Sequence, residues 1–454
     1  MRIHGKRWTI LLAVVLGGFG IFWMGLAAEA SAQAGPAKKL KIGVAGPLKF
    51  PWGKNMAMGA QVAAEQINAA GGVQVKGTKY EIEVIAADSN DYSSVVDAVN
   101  TVKRFVTVDK VNFIIGGARS EATLAQQEVM ADYKTVYMFS AGGSPALHAR
   151  LAENYERYKY FFNMFPHSID QNRMYGSLVD LAATKIRSEL GIAKPKVGLV
   201  MEKARWADDM VKAAEATLPK MGMEVGGVWR PSPFASDLSS EVTAIKAAGV
   251  QIIYEVFTGP AAVVLNRQIG ELQAPVVVCG VNTEGVGMGK KYWEATNGMC
   301  EFETIIAYDC QNIEITERTK PAWDVLSKRM GEIPYQTAYT CYDAVYMFKE
   351  AMEKSGSLES DVLVRELENA NFRGTLGIVK FHPKGTKWPH AAVWGPGAQT
   401  ALGQQWQKGS LVTVWPSGQT PNAVLEPGSG WEGLKYKGTG EFLLPPRVVK
   451  AWKK

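Results

Sequence analysis

The chain has 454 residues, 47% hydrophobic and 21% charged, with Lys+Arg 50 against Asp+Glu 44. That composition excludes a wholly disordered chain, and the length suggests two or three domains at about 150 residues each. A net charge of +6 from such even numbers lacks the basic bias of a nucleic-acid binder. Four cysteines without a C-x-x-C exclude a disulfide scaffold and make a zinc ribbon an unsuitable reading.

Arg2, Lys6 and Arg7 precede an uncharged run from Trp8 to Ala28, followed by small residues around Ala30, Ala32 and Ala34. This is the pattern of a secretory signal peptide, so residues 1–34 are expected to be removed on export. The rival reading is a membrane anchor, disfavoured by four glycines within the run and the A-x-A cluster. No cysteine lies near the cleavage zone, so no lipid anchor is expected and the periplasm is the simplest location.

Leu40–Ala45 is a short apolar run and predicts a buried strand. Residues 55–70 predict a helix that Gly71-Gly72 ends. Strands are expected at 81–87, 111–115 and 135–139, with a helix through Val95, Val99, Val102 and Val106 and another opening at Ser120. Strict β-α alternation implies a doubly wound parallel sheet. A second alternating set follows: helices near 169–190, 207–221, 238–248 and 260–272, and strands near 196–201, 225–229, 250–256 and 275–278. Two α/β units in tandem suggest two lobes with a ligand cleft at the carboxyl ends of their strands. Two further helices, 316–330 and 335–355, precede short strands and a Gly/Pro-rich tail read as an extended wrap.

No catalytic constellation is apparent. The five histidines lack metal-ligand spacing on one helix. Gly142-Gly143-Ser144-Pro145-Ala146 is not a nucleophile elbow, because Pro145 lacks the amide an oxyanion hole needs. The glycine-rich run 285–290 fits neither phosphate-binding spacing and reads as a flexible loop. Asp208-Asp209 reads as a solvated helix face. No enzyme activity, metal or cofactor is expected, and no nucleic-acid partner. One disulfide among Cys279, Cys300 and Cys310 is a possible pairing in an oxidising compartment; Cys341 reads as a buried free thiol.

The stretch GAQVAAEQINAAGGVQVKGTKYEIEVIAADSND resembles the first helix and second strand of the periplasmic solute-binding proteins of branched-chain amino acid ABC transporters. VNFIIGGARSEATLA, VYMFSAGGSPAL, SIDQNRMYGSLVDLA, AYTCYDAVYMFKEAMEKSGS and GIVKFHPKG continue the resemblance in order over residues 40–415. It implies a type I fold of two lobes joined by three crossovers: residues 38–165 plus 308–391, and 166–307 plus 392–454. It also implies a ligand that is an amino acid of branched-chain type, an ABC permease as partner, and a monomer. A ligand-sensing role, or an aromatic acid, organic acid or amide as ligand, stays open.

Carried onto this chain, the resemblance implies ligand contacts from Ser120, from Ala141, Gly142, Gly143 and Ser144, and from the aromatics Trp52 and Trp206. The acidic partner of a ligand ammonium falls near Asn282 and Glu284. Arg119 stands beside Ser120 and could add a cation or be an ordinary solvated side chain. Ser120 also suits a plain helix cap. The leucine-binding members carry a hydroxyl where this chain has Gly143 and a phenol where it has Trp206.

Overall fold

The computed structural model describes residues 37–311, 313–395, 397–415 and 440–453. The expected signal peptide and residues 416–439 of the expected wrap lie outside them. The first sheet contains β1 (Lys38–Gly46), β2 (Val73–Val75), β3 (Thr78–Asp88), β4 (Phe113–Gly116), β5 (Tyr137–Phe139) and β6 (Phe161–Asn163), in the order β2-β3-β1-β4-β5-β6. All pairings are parallel except the short edge strand β2. The second sheet contains β7 (Lys196–Met201), β8 (Glu224–Trp229), β9 (Ile252–Phe257), β10 (Val277–Asn282) and β11 (Thr304–Ala307). After the small hairpin β12 (Phe372–Gly374) and β13 (Gly377–Val379), β14 (Leu402–Gln407) and β15 (Ser410–Trp415) complete it, in the order β15-β14-β11-β10-β9-β7-β8. β14 and β15 run antiparallel.

The central strands are buried on both faces, which is why they read as continuous apolar runs. Leu40, Ile42 and Val44 are fully buried, as are Ile252, Ile253 and Val256. The helix Pro51–Ala69 packs on Gln336–Ser355 beside the first sheet, and Gly59 permits the contact: a Cβ there would lie 2.1 Å from the Ala338 carbonyl oxygen. The helix Ser168–Leu190 packs instead on β10 and on Arg205–Thr217 of the second unit.

The crossover after β6 is paired with the one before β14. Asn163 N–H donates to the His390 carbonyl at 3.0 Å, and Ala392 N–H donates to the Asn163 carbonyl at 2.8 Å. His148 is clamped beside them by the Pro389 carbonyl (2.9 Å) and Asn163 Nδ2 (3.3 Å). Burial lowers its pKa to about 3, so it stays neutral.

Two expectations are corrected. The run read as a flexible loop forms a helical turn, Thr283–Gly287, with a second helix at Lys290–Ala295. Gly287 is required there, because a Cβ would fall 1.7 Å from the Tyr335 ring. All four cysteines are buried free thiols, so the expected disulfide is not formed. Each lies against a different hydroxyl: Thr304, Thr296, Tyr339 and Ser140 for Cys279, Cys300, Cys310 and Cys341. Past the stretch read as an extended wrap, the chain forms a helix, Pro446–Trp452, whose Arg447 and Trp452 donate to the Ala274 and Pro275 carbonyls.

The helix contact makes a prediction. Gly59→Ala forces Pro51–Ala69 and Gln336–Ser355 apart and should cost about 1–3 kcal/mol, the range for overpacking. Urea denaturation of the two proteins measures it.

Candidate functional site

Parallel strands deliver their following loops to one edge of a sheet, and here the two sheets turn those edges toward each other. The result is a cleft with about 800 Å³ of free space. From the first unit it receives Trp52, Tyr92 after β3, Ala118 and Arg119 after β4, and Ala141 and Gly142 after β5. From the second it receives Trp206, Thr258 after β9, Val281, Thr283 and Val286 around the end of β10, and Ile306 on β11. Phe165 and Tyr308 come from crossovers, and Tyr335 to Thr337 from the start of the helix at Gln336. Arg119 is the one charged side chain among these lining residues.

Of the residues expected from sequence, Trp52, Trp206, Arg119, Ala141 and Gly142 line the cleft; Ser120, Gly143, Ser144, Asn282 and Glu284 do not. Ser120 is the first helical residue, with Arg119 at the cap position. Its hydroxyl makes no cap bond and accepts from Ser144 N–H at 3.2 Å, tying the helix to the loop after β5. Gly142 has φ +94°, a left-handed conformation suited to glycine, and a Cβ would meet the Ala118 carbonyl oxygen at 2.4 Å. A Cβ at Gly143 would lie 2.6 Å from Gln171 Nε2, so the hydroxyl residue of the leucine-binding members has no room here.

The cap amides of this helix are served from within. Asp91, 3% exposed, accepts from Ala118 N–H at 2.9 Å and Arg119 N–H at 3.3 Å. Burial raises its pKa to about 6, and the two amides oppose that rise. Arg119 pairs with Glu121 at 2.8 Å and lies 4.8 Å over the Tyr92 ring.

Asn282 is committed to structure. Its Oδ1 accepts from Gly285 N–H at 3.0 Å, and its Nδ2 donates to Glu303 Oε1 at 2.7 Å and to the Tyr292 hydroxyl at 2.8 Å. Glu303 and Glu255 are buried together, and desolvation raises both pKa values, which favours a shared proton. Glu284 is 7% exposed and makes no hydrogen bond or ion pair through its carboxyl group among the described residues. Burial raises its pKa to about 7.

Sequence reasoning missed the residues that join the two walls. Glu202 follows β7 and is fully buried. It accepts from Thr258 Oγ1 at 2.6 Å, Thr258 N–H at 2.8 Å and Trp206 Nε1 at 3.3 Å. Thr258 Oγ1 in turn lies 2.9 Å from the Tyr92 hydroxyl on the opposite wall. Phe234 meets the Tyr92 ring edge-on at 5.4 Å, and Ser144 Oγ donates to Asp209 Oδ2 at 3.1 Å, so Asp209 is a cross-cleft contact and not simply a solvated face. The signal for Tyr92, Glu202 and Thr258 was their position just past the carboxyl ends of predicted strands.

Two Rossmann-like units with a shared interior cleft define a bilobal solute-binding protein. The chain belongs to the periplasmic binding protein family, which matches residues 40–394. It is 24% identical to Leu/Ile/Val-binding protein homolog 7 of Brucella abortus over 420 residues, covering 88% of this chain and 97% of that one. It shares its fold with a Streptococcus pneumoniae branched-chain amino acid transporter substrate-binding protein solved with isoleucine (TM-score 0.64, 19% identity, 83% of this chain and 100% of that one). A solute-binding protein from R. palustris solved with benzoate has the same fold (TM-score 0.65, 15% identity, 83% and 95%). No helix among the described residues is long and apolar enough to cross a membrane.

The cross-cleft hydrogen bond is testable. Tyr92→Phe removes a bond worth about 0.5–1.5 kcal/mol. Thr258→Val removes that bond together with the one from Thr258 Oγ1 to Glu202 and should cost more than Tyr92→Phe, and the double variant should cost no more than Thr258→Val alone, since the Tyr92 bond is already lost in it. Small-angle scattering should report a larger radius of gyration for all three than for the wild type.

Proposed function

We propose that this chain is the periplasmic solute-binding component of an ABC importer: it takes a small carboxylate-bearing solute into the cleft and delivers it to a membrane permease. The observation that carries the reading is the one charged side chain lining an aromatic cleft, the Arg119 guanidinium, which also pairs with Glu121. It stands beside the loop after β5, where the amides of Gly142 and Gly143 have no partner among the described residues. A guanidinium and backbone N–H groups at a helix start suit a carboxylate. The leader pattern in residues 1–34 supports export, and the sheet memberships support lobes near 38–165 plus 308–391 and 166–307 plus 392–454. Action as a monomer is part of the same reading. Ser120 and Ser144 act by holding the Gly142-Gly143 loop against the helix.

The branched-chain amino acids named for the relatives are the first solutes to test, and Glu284, buried between the lining residues Thr283 and Val286, is the residue to test as their ammonium partner. An organic acid is the second reading, favoured by the absence of a carboxylate from the lining residues. A thermal-shift series answers the first question: a solute at a hundredfold excess over Kd should add about 2.7 kcal/mol of stability. No shift with any amino acid or aromatic acid would overturn the transport reading.

Glu284 separates the two ligand classes. An ordinary glutamate ionises near 4.5, and burial lifts this one to about 7. Below pH 4.5 the group is protonated whether the chain is folded or not. As pH rises from 4.5 to 7 the unfolded chain loses the proton first, so folding stability falls, then levels off. Glu284→Gln should abolish that fall and be the more stable protein at pH 8. If an ammonium pairs with Glu284, amino-acid affinity should strengthen as pH rises through 7, and the Gln variant should lose tenfold or more, at about 1.4 kcal/mol per tenfold. Titration calorimetry at pH 5.5 and 8 measures both.

A further inference from the structure

The wall formed by Trp52, Thr283 and Gln336 is polar in a way that the carboxylate site does not explain. Trp52 is 7% exposed and Gln336 is 6% exposed, and both line the cleft. Trp52 Nε1 has no hydrogen-bond partner among the described residues, nor has Gln336 Nε2. The Gln336 amide is oriented by its other end, because Oε1 accepts from the Tyr308 hydroxyl at 2.8 Å. Thr283 adds a third buried, unpartnered atom, its Oγ1. The indole N–H and the amide NH₂ can only donate, and the threonine hydroxyl can donate.

These donors are held in place by backbone contacts on their far sides. Thr337 Oγ1 donates to the Trp52 carbonyl at 2.8 Å, and Tyr335 N–H donates to Asn55 Oδ1 at 2.8 Å. The helix bearing Trp52 and the helix starting at Gln336 are thereby fixed together. The Thr283 turn seats against the same corner through Gly287 and the Tyr335 ring. The donors therefore cannot turn away to find other partners without breaking that packing.

We infer that the solute's apolar body carries oxygen acceptors for this wall, so that the cleft takes a carboxylate built on an oxygen-bearing aromatic ring, a hydroxy- or alkoxy-substituted aromatic acid or amino acid. The inference rests on the solute-binding reading above and deepens it. Trp52 Nε1 and Gln336 Nε2 are already buried and unbonded in the free protein, so a saturated side chain such as that of leucine or isoleucine leaves them so, whereas an oxygen acceptor that reaches them supplies the missing bond. A site built to bond an oxygen rejects the analogue lacking it far more strongly than a purely apolar pocket rejects an extra methylene. The ring itself is matched by the aromatic faces of Tyr92, Phe165, Tyr175 and Trp206 around the cleft.

The test is calorimetric titration of the full exported chain with matched pairs: benzoate against 4-hydroxybenzoate, phenylalanine against tyrosine, and leucine and isoleucine as saturated references. The oxygen-bearing member of one pair should bind at least tenfold more tightly than its partner and than both references. Gln336→Met and Trp52→Phe should each weaken binding of the oxygen-bearing member severalfold more than binding of the unsubstituted one. That difference separates donor loss from general damage to the fold. Leucine or isoleucine binding best, or a preference unmoved by both variants, overturns the inference and leaves the solute-binding reading standing. No binding by any of the six overturns both.

Discussion

A carboxylate that water does not reach holds one wall of the cleft together. Glu202 follows strand β7 and is fully buried, and burying it is tolerable only because three donors surround it. Those donors are the indole of Trp206 and the amide and hydroxyl of Thr258, two residues that line the cleft. The need to satisfy one buried acid thus fixes the helix start at Trp206 relative to the loop after β9. Through the Thr258 hydroxyl the same constraint reaches Tyr92 on the opposite wall. Removing Glu202 would loosen both second-unit elements at once and leave Tyr92 without an oriented partner.

The opposite wall is built by the same rule with a different acid. Asp91 occupies the amides of Ala118 and Arg119, and Ser120 occupies that of Ser144. The helix terminus at Ser120 is accordingly partly satisfied by the protein itself. What it still presents to the cleft is the Arg119 side chain and, next to it, the glycine loop. That arrangement differs from a bare helix N-terminus waiting for an anion. It makes Arg119 the feature that distinguishes this cleft in charge, and Gly143 a residue whose size is restricted by its neighbour Gln171.

The third wall shows how glycine and a short helix can be a packing solution. Thr283–Gly287 contains two glycines in five residues, poor helix formers by intrinsic preference. Asn282 caps it, and the Tyr335 ring packs so closely on it that Gly287 has no room for a Cβ. Local propensity argues for a loop there, and tertiary contact overrides it.

The periodicity and apolar runs determined most of the two sheets, the long helices and the cleft at the strand ends, because buried parallel strands must be apolar and their order of alternation with helices leaves little choice of topology. The family resemblance, not the periodicity, pointed to Trp52, Ala141, Gly142 and Trp206, and to Arg119 as the neighbour of Ser120; these five lie on the cleft lining. Sequence reasoning could not find β14, whose sequence Leu402–Gln407 carries three glutamines; two of them, Gln404 and Gln405, are buried, with their amides bonded to the Asp309 and Phe302 carbonyls. It could not separate Ser120, which bonds a loop 24 residues away, from a residue facing the cleft. Nor could it join Tyr92 to Thr258, 166 residues apart, or leave Trp52 and Gln336 with donors unpaired in one wall. A sequence states which residues are polar, but whether a buried donor is satisfied depends on neighbours that only the folded chain brings within hydrogen-bond reach.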